Sequence, residues 1–290
     1  MSEVKRKILV TGGQGLLGSS FLRFSKFRDI TGVCREQMDI TLKESVERCL
    51  AFYQPDIVIH TAAHTDVEAC EREPEKAYSV NALGTRIIAD ICKRNQTFLV
   101  YISSTGVYGS AESRAYTELD RVNPTTVHHR TKLDGELIVM EQLENYLVLR
   151  TGWLYGGPKA AKKNFVYKRY LEARENKKIY SNDRQVGNPT YVYDLVKQCD
   201  LLIEKNIRGL FNCVNSGENV TRYDYTKKIM KLFNQDCEVV PAGPEVFERV
   251  APVSDNESAI NFNLTKFGVD NMRGWGDALA GYIQTLKNVI

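Results

Sequence analysis

Thr11-Gly12-Gly13-Gln14-Gly15-Leu16-Leu17-Gly18 is the stretch on which the reading of this chain turns. It follows the apolar run Lys7–Thr11 and leads into the helix-like pattern Leu16–Phe27, where a first strand would pass to a first helix. Gly12, Gly15 and Gly18 recur at intervals of three. At such positions the first glycine permits a tight turn, the second lets backbone approach a pyrophosphate, and the third lets helix and strand pack closely. The helix start adds N–H groups without intrahelical partners and a partial positive charge. A glycine triplet alone is often only a strand–helix turn. Its place between a strand and a helix makes this one a dinucleotide-binding loop, with Gln14, Leu16 and Leu17 beside the glycines on the cofactor.

Outward from the loop, short apolar runs alternate with helical patterns. Strands are expected at Lys7–Thr11, Ile30–Cys34, Ile57–His60, Phe98–Ser103 and Leu147–Arg150. Helices are expected at Leu16–Phe27, Leu42–Tyr53, Pro74–Arg94 and Thr125–Leu143. Strands apolar on both faces and separated by helices predict a parallel sheet with right-handed crossovers. The fold class is therefore α/β: a Rossmann-like, doubly wound parallel sheet with a small C-terminal substrate-binding lobe. Residues 1–150 would form the cofactor domain, with some later segments returning to it, and 151–290 mainly the lobe. In that second half the lysine-rich segment 158–163 reads as an exposed loop, Asn164–Asn176 as a helix, and Gly187-Asn188-Pro189 as a break before a helix from Tyr191. A further helix is expected around Tyr223–Phe233.

The second strand bears on which dinucleotide is bound. A carboxylate at its end usually serves the ribose 2′-hydroxyl of NAD, but this chain has Cys34-Arg35 there. An arginine without that carboxylate suits a 2′-phosphate. NADP(H) is the expected cofactor, with NAD(H) still admissible.

Composition narrows the remaining classes. Hydrophobic content of 43% and charged content of 26% are ordinary for a globular protein. Net charge is only +3 and the basic residues are scattered, so no nucleic-acid footprint is expected. The opening MSEVKRKILV carries no signal-peptide h-region, and no apolar run approaches a membrane span. Seven widely spaced cysteines without a CxxC pair read as reduced, mostly buried thiols, not as a disulfide framework or a metal site. The expected setting is cytoplasmic.

Beyond the glycine loop, the chain carries Asp39-Ile40, Thr61-Ala62-Ala63-His64-Thr65-Asp66-Val67, Glu73-Pro74 and Val80-Asn81-Ala82. Tyr101-Ile102-Ser103-Ser104-Thr105-Gly106-Val107-Tyr108-Gly109, Asn123-Pro124 and Thr131-Lys132-Leu133-Asp134-Gly135-Glu136 follow. Arg150-Thr151-Gly152-Trp153-Leu154-Tyr155-Gly156, Asn164-Phe165 and Gly187-Asn188-Pro189-Thr190 complete the set. With these motifs the chain resembles the extended short-chain dehydrogenase/reductase superfamily and, within it, the dTDP-4-dehydrorhamnose reductases, over nearly its whole length. The resemblance implies that Asp39, Ile40, Ala62, Ala63 and His64 join the cofactor site. It also implies a catalytic Ser/Thr, Tyr and Lys, with Tyr and Lys four residues apart on one helical face. Ser104 and Lys132 occupy two of those positions. The tyrosine position holds His128, in Val127-His128-His129-Arg130-Thr131-Lys132. Thr105 stands where these reductases commonly have Asp, so that SSTGVYG looks closer to the sugar-nucleotide epimerases and dehydratases.

Lys132, as a nearby cation, would push His128 towards its neutral form, and neutral imidazole is a far poorer acid than a phenol. His128 is therefore either a weak catalytic or substrate-contacting group or a tolerated substitution; His129, one helical step on, reads as a solvated surface residue. The resemblance places Trp153 against the sugar ring, with Ser104, Thr105, Asn164, Pro189 and Thr190 also at the substrate. The expected substrate is a nucleotide-linked sugar, dTDP-linked by resemblance, with no metal, nucleic-acid or membrane partner and room for a homodimer. Three functions stay open: an NADP(H)-dependent reductase of a nucleotide-linked 4-keto-6-deoxysugar, a nucleotide-sugar epimerase or dehydratase, and a cofactor-binding regulatory protein with little turnover.

Overall fold

The computed structural model describes residues 6–158, 164–217 and 220–289; beyond Pro158, the expected lysine-rich loop lies outside them. The first half runs β1 (Ile8–Thr11), α1 (Leu16–Phe24), β2 (Ile30–Val33), α2 (Lys43–Tyr53) and β3 (Ile57–His60). It continues with α3 (Val67–Arg72), α4 (Pro74–Tyr78), α5 (Gly84–Asn95), β4 (Phe98–Ser104), α6 (Val127–Gln142) and β5 (Tyr146–Thr151). The second half adds β6 (Trp153–Tyr155), α7 (Phe165–Glu175), β7 (Lys178–Asn182), β8 (Val186–Gly187), β9 (Pro189–Tyr191), α8 (Val192–Glu204) and β10 (Gly209–Asn212). It ends with β11 (Val220–Thr221), α9 (Arg222–Phe233), β12 (Glu238–Ala242), α10 (Phe262–Lys266) and α11 (Trp275–Lys287).

Six strands form one sheet in the order β10-β5-β4-β3-β1-β2, and every pairing in it is parallel. Alternation along each strand divides the core between the two faces. Ile8 and Val10 turn to one face with Leu17 and Phe21 of α1 and Leu195 and Val196 of α8. Leu9 and Val58 turn to the other with Leu50 of α2, Ile88 and Ile91 of α5, and Val139 of α6. A sheet covered on both sides is the doubly wound architecture expected, and β10 shows the second half returning to it.

Two departures bear on function. The expected single helix Pro74–Arg94 is divided: a π-helical segment, Ser79–Leu83, lies between α4 and α5. Such a bulge re-aims side chains within a continuous helical path, and here it contains the fully buried Asn81. The expected break at Gly187-Asn188-Pro189 is instead built into two short strands: β8 pairs with β11 and β9 pairs with β6. These pairs place Trp153, Gln185 and Arg222 beyond the carboxyl edge of the sheet.

Candidate active site

Strand order reverses between β1 and β3, and ligands of open α/β sheets bind outside the carboxyl ends of the strands at such a point. Thr11 and His60 are register partners there. The Thr11 hydroxyl accepts from the Ala62 N–H at 3.0 Å and meets His60 Nδ1 at 2.8 Å. His60 Nε2 meets the Thr85 hydroxyl at 3.2 Å, and that hydroxyl donates to the Asn81 carbonyl at 2.6 Å. Burial, helped by the Lys132 charge, lowers the His60 pKa to about 3. The imidazole is therefore a neutral strut joining the strand ends.

Gly12 has φ of +65°, and a Cβ there would meet Ala62 backbone at 3.0–3.1 Å; a Cβ on Gly18 would meet the Gly12 oxygen at 2.2 Å. Both positions need glycine, for the left-handed turn and the close helix approach respectively. Gly15 caps α1 without a side-chain hydrogen bond, and the first turn contains no acidic residue. The helix thus presents backbone N–H groups and no competing carboxylate, which fits a pyrophosphate.

A cavity of about 1200 Å³ runs from this turn to the lobe. Gly12, Gln14, Gly15, Leu16, Leu17 and Gly18 line it at one end, followed by Arg35, Asp39 and Ile40, then Ala62, Ala63 and His64. Arg35 Nε lies 3.2 Å from Asp39, whose other oxygen accepts from the Thr41 N–H and hydroxyl. Those Thr41 bonds, with Arg35, hold the Asp39 carboxyl below its ordinary pKa.

Ser104, His128, His129 and Lys132 line the middle of the same cavity. Both Ser103 and Ser104 touch the cavity; the Ser103 hydroxyl donates to Glu136, and the Ser104 hydroxyl accepts from the Gly106 N–H at 3.2 Å. Thr126 caps α6 through the His129 N–H. The buried Glu136–Arg150 pair, with Arg150 Nη2 2.7 Å from Glu136, pins the same helix to β5. Lys132 is thereby held 5% exposed, its Nζ 4.0 Å from the Tyr101 ring centroid. Burial lowers its pKa to about 7, against an opposing pull from Glu136. The full neighbouring cation expected beside His128 is thus only partial near neutrality. His128 itself is 8% exposed and its Nδ1 lies 3.1 Å from the His64 carbonyl oxygen.

His129 is not the solvated residue expected. It is 5% exposed, its Nδ1 sits 3.1 Å from the Thr126 hydroxyl, and a Cβ on Gly106 would strike its ring. Both histidines lie on the buried face of α6; its solvent stripe, Arg130, Leu137, Met140 and Glu141, is half apolar and so does not mark which face is exposed. Burial lowers the His129 pKa, with Glu257 pulling it the other way.

Trp153 lines the lobe end, 8% exposed, and donates its Nε1–H to Glu257 at 2.8 Å. The Arg222 guanidinium lies 3.4 Å from the indole centroid, so this arginine already covers the ring. Burial lowers the Arg222 pKa to about 10, opposed by Glu257. Gln185, Arg222 and Glu257 all line the cavity, and sequence reasoning named none of them; only folding brings the residue before β8, the start of α9 and the segment before α10 to one place. The other expected substrate residues stand back from it. Thr105 is buried with its hydroxyl unpartnered. Asn164 caps α7 and donates to the Tyr282 hydroxyl at 2.6 Å. Pro189 and Thr190 are buried in β9, where Thr190 donates to the Asn188 carbonyl at 3.0 Å.

All seven cysteines are free and five are buried. Among the described residues no helix is long and apolar enough to cross a membrane.

The family model described as the RmlD substrate binding domain matches residues 6–288. A dTDP-4-dehydrorhamnose reductase of Mycobacterium tuberculosis is 31% identical over 288 residues, covering 97% of this chain and 93% of its own length. A crystal structure of dTDP-4-dehydrorhamnose reductase from Clostridium acetobutylicum superposes with a TM-score of 0.92 at 31% identity, covering 97% of this chain and 99% of that one. Another, from Bacillus anthracis in complex with NADP, gives 0.93 at 29% identity over 97% and 100% of the two chains.

Proposed function

The chain belongs to the RmlD substrate binding domain family, and from that premise we propose that it is an NADP(H)-dependent reductase of a nucleotide-linked 4-keto-6-deoxysugar, dTDP-linked as in its relatives. The observation that carries this reading is the single cavity joining the glycine turn to Ser104, His128, Lys132 and Trp153. When bound, NADPH supplies the hydride. The glycine turn and α1 would hold the pyrophosphate, and Arg35 the 2′-phosphate, which favours NADP(H) over NAD(H).

Lys132 would hold the nicotinamide ribose, drawn towards its charged state by the ligand's oxygen atoms. The Ser104 hydroxyl would donate to the keto oxygen and polarise the carbonyl. His128 stands in the place of the proton-transfer residue. Arg222, held on Trp153 and balanced by Glu257, would bound the sugar end, with Gln185 beside it.

The observation that favours a second reading, a cofactor-binding protein with little turnover, is His128 itself, where the related reductases would place tyrosine. Incubation with NADPH and dTDP-4-keto-6-deoxyhexoses, following cofactor and sugar together, tests both. Cofactor oxidation matched by reduced sugar supports the reductase. Sugar isomerised without net oxidation would mean an epimerase, and binding without turnover would mean the regulatory function.

A further inference from the structure

A carbonyl oxygen can only accept a hydrogen bond, so the 3.1 Å contact between His128 Nδ1 and the His64 oxygen requires the proton on Nδ1. The carbonyl that imposes this is itself held in place. The His64 N–H donates to Asn81 Oδ1 at 2.7 Å, and Asn81 Nδ2 donates to the His64 carbonyl at 3.0 Å. Asn81 Nδ2 also donates to the Thr131 hydroxyl at 2.9 Å, and that hydroxyl donates to the His128 carbonyl at 2.8 Å. One buried amide therefore ties the loop after β3 to the turn of α6 that carries His128.

We propose that Asn81 is a positioning residue that, through the His64 carbonyl, locks His128 in its Nδ1–H tautomer, so that Nε2 is the nitrogen exchanging a proton with the substrate. The catalytic consequence rests on the reductase reading above; the lock does not.

With Nδ1–H fixed, the neutral ring has only a lone pair at Nε2 and can take a proton from a sugar hydroxyl. To serve reduction it must first become imidazolium. As the carbonyl carbon gains hydride from NADPH, the imidazolium Nε2–H bond breaks, an O–H bond forms, and the ring returns to neutral Nδ1–H. The ketone is reduced and the cofactor oxidised. A histidine in the opposite tautomer would offer no lone pair to the substrate and could not be recharged through Nε2. Loss of the correct histidine tautomer is worth up to about 10⁴ in turnover in a serine protease triad.

The test is long-range ¹H–¹⁵N correlation of the histidine side chains in the full-length protein, with and without NADPH. The chain has four histidines, so single substitutions assign them. The native spectrum should show neutral His128 protonated at Nδ1. Asn81→Asp keeps the shape and the acceptor for the His64 N–H but removes the Nδ2 donor. It should move the His128 signature towards Nε2–H and lower kcat about tenfold or more, the scale of a lost supporting hydrogen bond. KM and NADPH affinity should change far less. If Asn81→Asp does not fold, Thr131→Val removes the acceptor of the second Asn81 bond and should shift the same signature in the same direction. A native His128 protonated at Nε2 overturns the proposal, as does a fall in kcat with the tautomer unchanged or a shifted tautomer with kcat unchanged. A native protein that shows the Nδ1–H signature but turns over no ketosugar leaves the lock standing and removes the reductase reading.

Discussion

Arg35 is largely exposed and gives its Nε to Asp39, which orients the guanidinium at the glycine-turn end of the cavity. A charge-assisted contact to the 2′-phosphate is worth about 1.5–3 kcal/mol. Arg35→Ala should therefore cut the preference for NADPH over NADH by about tenfold or more. Calorimetric titration of both cofactors checks this, and equal affinities in the unmutated protein would contradict it. Trp153 seats both Arg222 and Glu257, so Trp153→Ala should weaken nucleotide-sugar binding while leaving cofactor affinity nearly unchanged. Joint loss of both affinities with loss of folding would make the indole a core residue only. His128 is the residue where the reductase reading is most exposed. A well-placed general acid contributes about 10²–10⁴-fold, and a neutral imidazole is a far poorer acid than a phenol. His128→Tyr should raise the rate of NADPH oxidation with a 4-keto-6-deoxysugar. A fast native enzyme crippled by that change would show that histidine is the proper donor here. The cavity residues legible in the sequence were those whose position follows from local context: the glycines between strand and helix, Arg35 after the second strand, and Lys132 four after His128. Arg222, Gln185 and Glu257 were not, because their meaning depends on contacts across the lobe.

The element that carries most of the candidate catalytic residues, His128 and Lys132, is α6. Its buried surface includes His128, His129, Lys132 and Glu136, so it has no clean apolar stripe, and periodicity alone could report that it is a helix but not which way it faces. That is why His129 was misread as exposed. Glu136 accepts from Arg150 and Ser103 at once, and removing one partner of such a buried pair strands the other charge. Arg150→Met should cost about 3–5 kcal/mol in denaturant unfolding, whereas replacing both members with apolar residues of similar volume should cost much less. Equal losses in the single and double variants would show that the pair does not act as a unit. The π segment is a second lesson at this scale. Residues 74–94 read as one helix because the apolar pattern continues through it. The bulge leaves no mark in that pattern, and the Asn81 within it bonds to His64, a partner more than ten residues away that the pattern does not report.

For the whole molecule, the sheet and the glycine turn at its edge were legible because each βα unit repeats the same local rule; in the second half the helices α7, α8 and α9 were legible too, but the two-stranded pairs of distant segments that join them were not. The buried groups at the cofactor edge also set a pH dependence of stability. His60 has a folded pKa of about 3 against an ordinary 6.5, so the unfolded chain binds more protons between those values and stability falls as pH is lowered through that window. Lys132, at about 7 against an ordinary 10.5, acts with the same sign, so cofactor-free protein should gain stability as pH rises between those values. Unfolding midpoints across pH check both, and His60→Gln should flatten the acid limb above about pH 4.5, where carboxylates are still largely ionised. An unchanged acid limb in that variant would contradict the neutral strut. The central claim, hydride delivery to a sugar carbonyl in this cavity, is tested most directly by NADPH deuterated at the transferable C4 position, incubated with dTDP-4-dehydrorhamnose. The account predicts one deuterium on C4 of the reduced sugar for each NADPH oxidised. Sugar recovered unlabelled, whether unchanged or isomerised, from protein that binds the cofactor would contradict it.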